Sequence, residues 1–142
     1  MKNIQLLLLV FFLFSCANSK EGVDFYDNYV VYAQSVKDNN VFFVKEMLSA
    51  ELREKVDTYK PDDFPILTEF PNVLVDIESH YQIIKNNKGC LTLNGYDDSS
   101  SPVSLFLEYS NENSRWLLAY VEIFYPDSSR EFKNIGICPT RL

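Results

Sequence analysis

The sequence predicts an α+β domain in which N-terminal helices pack on a curved, four-stranded antiparallel sheet. Three observations carry that reading. Apolar residues recur at helical spacing from Val23 to Val56. Beyond Pro71 the apolar period changes to two. Polar turn sequences then cut this second half into four strands. Helices followed in sequence by strands stack as one layer on another, with the sheet curved about the long helix. A chain of 142 residues suits one domain, and no internal repeat is visible.

In chain order, the first segment is a leader. Lys2 supplies a short positive start, and Leu6 to Phe14 is an unbroken apolar run of nine residues. A membrane-spanning helix needs roughly 20 apolar residues, so this run has the length of a signal-peptide core instead. An ordinary secretory cut after Ser15 would put Leu13 where a small residue is wanted. Leu13-Phe14-Ser15-Cys16 resembles the lipobox of bacterial lipoproteins: Leu, a small residue just before the cut, then an obligatory Cys. Phe14 departs from the small residue usual at its position. The resemblance implies that residues 1–15 are removed and that Cys16 is acylated. Two or three acyl chains then hold the protein to a membrane, where one would hold only marginally. Residues 16–22 become a lipidated Cys and polar tether. Ala17 rather than Asp after that Cys implies the outer membrane, facing the periplasm.

Losing Lys2 with the leader leaves 12 basic against 20 acidic residues, a net charge of −8. That excludes a nucleic-acid partner, whose phosphates need Lys and Arg. It also excludes a polybasic membrane contact. With Cys16 lipidated, Cys90 and Cys138 remain as a pair in an oxidising compartment, where a disulfide persists. The bridge would close a loop of about 49 residues, for roughly 4 kcal/mol in the chain-entropy model. The competing use, two metal-binding thiolates, lacks further Cys or His ligands nearby.

The domain proper is expected over residues 23–125, with 126–142 as a C-terminal tail tied back by that disulfide. Phe25, Tyr29, Tyr32 and Val36 share one face of a first helix, ending at Asp38-Asn39-Asn40. Val41, Val44, Leu48, Leu52 and Val56 continue the helical period. Ser49 followed by Glu51 is an N-cap signature that divides this stretch into two short helices. Tyr59-Lys60-Pro61 ends it. Pro61 to Pro71 is expected to be an irregular connection or a single helical turn.

The next run is read as extended. Val73, Val75, Ile77, Tyr81 and Ile83 lie on one face; Asp76, Glu78, His80 and Gln82 lie on the other. Asn86-Asn87-Lys88-Gly89 is a hairpin turn. Strands follow at Cys90–Tyr96, Pro102–Tyr109 and Arg115–Tyr125. In the last, Leu117, Ala119, Val121 and Ile123 oppose Trp116, Leu118, Tyr120 and Phe124. A strand apolar on both faces is expected to be covered twice. The helices supply one cover; the tail, a second subunit or a ligand supplies the other.

Two stretches, VKDNNVFFVKEMLSAELREKV (Val36 to Val56) and SLFLEYSNENSRWLLAYVEIFY (Ser104 to Tyr125), resemble the cystatin-like superfold. Within it they are similar to the nuclear-transport-factor-two-like domains. The resemblance spans roughly Val23 to Tyr125 and implies a cone-shaped sheet with an interior pocket. Enzymes of that superfold use an Asp or His with Tyr donors inside the cone. By resemblance the candidates are Asp76, Glu78 and His80, with Tyr81, Tyr96 or Tyr109 as donors. Their period-two spacing reads more simply as a solvated strand face. Glu78 and His80 lack a third metal ligand. No Gly-rich phosphate loop or cofactor motif is present.

The chain is therefore read as a non-catalytic, lipid-anchored binding protein of the bacterial envelope. It would bind a protein partner or a small apolar ligand, with Tyr29, Tyr81, Trp116, Tyr120 and Phe124 as candidate contacts, since aromatic residues supply binding hot spots. A homodimer through the sheet face is a further expectation. The alternatives are a periplasmic immunity protein, whose acidic charge would speed capture of a basic toxin, and an enzyme on a small hydrophobic substrate.

Overall fold

The computed structural model describes residues 22–58 and 65–140. The leader, Cys16, the tether through residue 21, and the Tyr59-Lys60-Pro61 stop lie outside the described residues. Among the described residues no helix is long and apolar enough to cross a membrane.

Among the described residues four helices precede four strands: α1 (Phe25–Lys37), α2 (Val41–Glu46), α3 (Ala50–Thr58), α4 (Pro65–Val73), β1 (Asp76–Lys85), β2 (Lys88–Tyr96), β3 (Pro102–Glu112) and β4 (Arg115–Phe124). Asp24 caps α1, its side chain accepting from the Tyr26 N–H at 2.8 Å. The helix stops where Asn39 turns left-handed at φ 54°, a conformation Asn tolerates. Asn40 then caps α2 through the Phe43 N–H. The predicted break at Ser49 is present: its Oγ accepts from the Leu52 N–H at 3.2 Å and opens α3. Residues 47–49 run beside β4, with Leu48 in a single parallel bridge to Leu118. The Leu118 N–H donates to the Met47 carbonyl and the Ser49 N–H to the Leu118 carbonyl, both at 2.8 Å.

The segment expected to be irregular before Pro71 is largely the helix α4. Pro65 stands at its first position, where a missing N–H costs nothing. Pro71 lies inside it and cannot donate to the carbonyl four residues back, Leu67. The Tyr32 hydroxyl takes that carbonyl instead, donating at 2.8 Å from α1. Pro71 is thus tolerated because a tyrosine 35 positions before Leu67 repairs the ladder. Tyr32→Phe removes the repair and leaves a buried carbonyl unpaired. It is expected to lower stability by about 1–3 kcal/mol, read as a fall in the urea midpoint at unchanged m-value. Val73, expected in the first strand, closes α4, and Val75 is exposed ahead of a strand that starts at Asp76.

The strands pair antiparallel in the order β1-β2-β3-β4. Asn86-Asn87 (φ 52° and 59°) and Asn113-Ser114 (φ 51° and 64°) form two-residue hairpin turns with both central residues left-handed. The expected cone is not formed. The sheet is open: β1 and β4 are its two edges and do not meet, and it is not strongly curled. It has cover on both faces, so curling around the helices would lift it off its second layer. The helices cover one face. The tail covers part of the other, bridged by the Cys90–Cys138 disulfide. There the Ile137 N–H donates to Thr92 Oγ1 at 2.9 Å, and Asn94 Nδ2 donates to the Lys133 carbonyl at 3.0 Å. Glu108, cross-strand from Cys90, is buried and accepts from Lys88 Nζ at 3.0 Å.

The core lies between helices and sheet. Phe25, Tyr29, Tyr32, Leu48, Leu67 and Phe70 from the helices meet Leu91, Leu93, Val103, Leu105, Leu107, Tyr109 and Leu118 from the sheet.

Two bulges redraw the strand faces. One falls between Ile77 and Ser79, the other between Glu108 and Tyr109 opposite Ala119. Each adds a residue on one strand and so reverses the alternation beyond it. In β1, His80 and Gln82 pair with the core residues Leu93 and Leu91 and so share the helix side with Ile77; Ser79, Tyr81 and Ile83 lie with Asn94, Thr92 and Cys90 on the tail side. In β4, Trp116, Leu118, Val121 and Ile123 pack toward the core, whereas Leu117, Tyr120 and Phe124 do not.

Candidate functional site

The acid–base set expected from the cone does not converge. Asp76 and Glu78 are exposed at the start of β1. His80 is also exposed; its ring stacks on Tyr26 of α1 at 4.1 Å and 4° between planes. Tyr81 is half-buried on the opposite face. Tyr96 meets Phe132 of the tail edge-on at 5.9 Å. Tyr109 is buried, stacked on Phe25 at 5.0 Å. Burial pushes the phenols of Tyr29, Tyr32 and Tyr109 up, that of Tyr29 to about 12 with Tyr26 as a second cause. These groups stay neutral at ordinary pH. No group of three or more His, Cys, Asp or Glu side chains among the described residues is placed to hold a metal.

The five aromatic contact candidates are spread over both layers. The Tyr29 hydroxyl donates to the Pro71 carbonyl at 3.4 Å inside the core. Trp116 packs edge-on to Phe25 at 5.1 Å. It also lines a recess of about 320 Å³ with Tyr32, Phe43, Met47, Tyr109 and Arg115. Tyr120 is half-buried, cross-strand from Glu108, and Phe124 is 39% exposed, stacked on Phe106 at 6.3 Å. Tyr81, Tyr120 and Phe124 therefore share no site with Tyr29 and Trp116.

A different site is present among the helices. A cleft of about 390 Å³ opens between the C-terminal end of α1 and the helices α2, α3 and α4. Val36, Val41, Val44, Leu48, Val56 and Leu67 give it apolar walls, with Ser35 beside them. Among the described residues Lys37, Asn39, Asn40, Lys45, Thr68 and Asn72 also line it. It arises from one turn and one long-range pin. The Asn39 turn reverses the chain, so α2 folds back against α1. The 47–49 segment, pinned to β4, then separates α3 from α2. The helical spacing of Val41, Val44, Leu48 and Val56 marked these residues as apolar. Core and cleft wall carry the same spacing, so the cleft was not readable from it. Val41 and Phe42 at the start of α2 are 55% and 78% exposed. Comparison of the chain with protein families, with curated proteins and with solved structures finds no match.

Proposed function

We propose that the chain is a lipid-anchored, non-catalytic binding protein of the bacterial cell envelope, tethered through Cys16 and facing the periplasm. Its helix-side cleft would hold a small apolar ligand. The cleft carries this reading: it is mostly apolar, open to solvent, and within the roughly 300–1,000 Å³ of small-molecule sites. The leader and Leu13-Phe14-Ser15-Cys16 support the location. The Cys90–Cys138 disulfide suits an oxidising compartment. The scatter of Asp76, Glu78 and His80 favours binding over catalysis.

The test is a fluorescence titration with the neutral apolar probe N-phenylnaphthylamine. Saturable binding is expected, and Thr68→Trp is expected to weaken it by about tenfold or more, because this exposed residue borders the cleft and an indole there would fill it. Probe binding that ignores Thr68→Trp would remove the cleft from the reading. The acidic charge of the chain supports a second reading, capture of a basic protein such as a delivered toxin. Salt-sensitive binding of a purified basic partner, unaffected by Thr68→Trp, would favour it.

A further inference from the structure

We infer that the outward face of α2 is a second membrane contact: Val41, Phe42 and Phe43 seat in the boundary between headgroups and acyl chains of the bilayer that carries the Cys16 anchor. The inference rests on the lipid-anchored reading above and adds how the domain lies on its membrane.

Val41-Phe42-Phe43 opens a six-residue helix in which Val44 is the buried member. An α-helix turns about 100° per residue, so Phe42 stands roughly 200° from Val44 and faces away from the core. At 78% it is the most exposed large apolar side chain among the described residues; Val41 and Phe43 are 55% and 43% exposed. Asn39 and Asn40 precede the three, and Glu46, one turn after Phe42, pairs with Arg53 at 3.6 Å. Exposed apolar side chains gathered inside a polar rim mark a contact surface for a protein or a membrane.

The tether points to the membrane. Val23, where the domain begins, and Phe43 line the same recess. Seven peptide steps lead from Cys16 to Val23 and reach at most about 25 Å. An acylated Cys16 therefore keeps that recess close to lipid, and the bilayer stands at high effective concentration beside α2. Interfacial helices use Phe in this way, with the apolar face about 5–10 Å into the boundary. The contact is apolar rather than electrostatic. Acidic residues outnumber basic ones 20 to 13, so an anionic leaflet does not attract the chain as a whole. Val41 also borders the helix-side cleft, so the docked domain holds that cleft beside the bilayer.

The experiment expresses the full chain, purifies it from the bacterial envelope with its anchor, and reconstitutes it in phosphatidylethanolamine–phosphatidylglycerol vesicles. A nitrobenzoxadiazole fluorophore is attached at Phe42→Cys or, for comparison, at Ser99→Cys. Ser99 is exposed in the loop after Tyr96, which pairs with the first residue of β1, whereas the Val23 carbonyl is bonded by Gln82 near the last. A phospholipid bearing a nitroxide high on its acyl chain is expected to quench the label at position 42 by about half, and the label at position 99 little, given the insertion depth of such helices. The quenching should persist from about 0.05 to 0.5 M NaCl, because apolar burial is not screened. Val41→Asp/Phe43→Asp should abolish it while leaving the circular dichroism unchanged.

Equal, weak quenching at the two positions of an acylated protein would overturn the inference while the lipid anchor stands. Quenching lost at high salt, or kept in Val41→Asp/Phe43→Asp, would overturn the apolar contact. Blue-shifted emission at position 42 without nitroxide quenching would overturn the inference in favour of a protein occupant. An N-terminal peptide with no acyl mass on Cys16 would remove the anchored reading and the inference together.

Discussion

Phe25→Ala is expected to cost about 3–5 kcal/mol, the range for removing a fully buried aromatic ring. Phe25 has no exposed surface, and its ring lies between Tyr109 and Trp116 at 5.0 and 5.1 Å. The same ring fills the space over Gly89 of β2, where any side chain would strike it. Its backbone is anchored too. The Phe25 N–H donates to Gln82 Oε1 at 2.8 Å, while Gln82 Nε2 donates to the Val23 carbonyl at 2.9 Å. The walls of the resulting cavity belong to three strands and a helix with other contacts to keep, so they relax little. Urea denaturation followed by far-UV circular dichroism measures the effect; a loss below about 1 kcal/mol would show that the site collapses freely. Gly89→Ala approaches the same contact from the other side and is expected to destabilise by about 1–3 kcal/mol through overpacking. Combined with Phe25→Ala, its cost should shrink, because the two changes share one volume.

Opening the Cys90–Cys138 disulfide is expected to remove about 2–5 kcal/mol. The bridge spans 48 positions, which the chain-entropy model converts to roughly 4 kcal/mol. Further loss comes from the tail. Gly136 packs against the backbone of Gln82 and Ile83, and Thr92 and Asn94 each bond a tail backbone group. A reduced tail must hold these contacts without its covalent tie. Denaturation of the wild type with and without reductant, beside Cys138→Ala, measures the cost. Limited proteolysis gives an independent readout: cleavage within residues 126–140 should appear on reduction while the helices and strands stay protected. A tail that remains protected after reduction would show that its noncovalent contacts suffice.

The helices were legible because their signals are local. Asp24, Asn40 and Ser49 cap at short range, and Asn39, Asn86 and Asn87 accept left-handed backbone at single positions. Hairpin order followed from turns placed between period-two runs. What failed to show depended on contacts distant in sequence. The helix through Pro71 needs Tyr32 to take the Leu67 carbonyl, a contact between residues on different helices. The faces of β1 and β4 depend on bulges that leave no composition signal. Alternation assigned Ile77 and Tyr81 to one face; the bulge after Ile77 separates them and turns His80 toward α1 instead. The same slip at Ala119 divides Leu117 from Val121.

The sequence by itself determined the α+β order, the four-strand hairpin succession, the cap at Ser49 and, with Cys16 read as lipidated, the pairing of Cys90 with Cys138. Hydrogen bonds within one turn and alternation along one strand are enough to set the first three; the cysteine pair is what the count leaves. The tertiary structure decided that the sheet is open rather than a cone, that the tail forms its second cover, and that Val44, Leu48, Val56 and Leu67 border a cleft. Those outcomes depend on how separate layers share volume. Burial rewards any apolar face alike, and only the assembled layers determine which faces meet and which leave a gap.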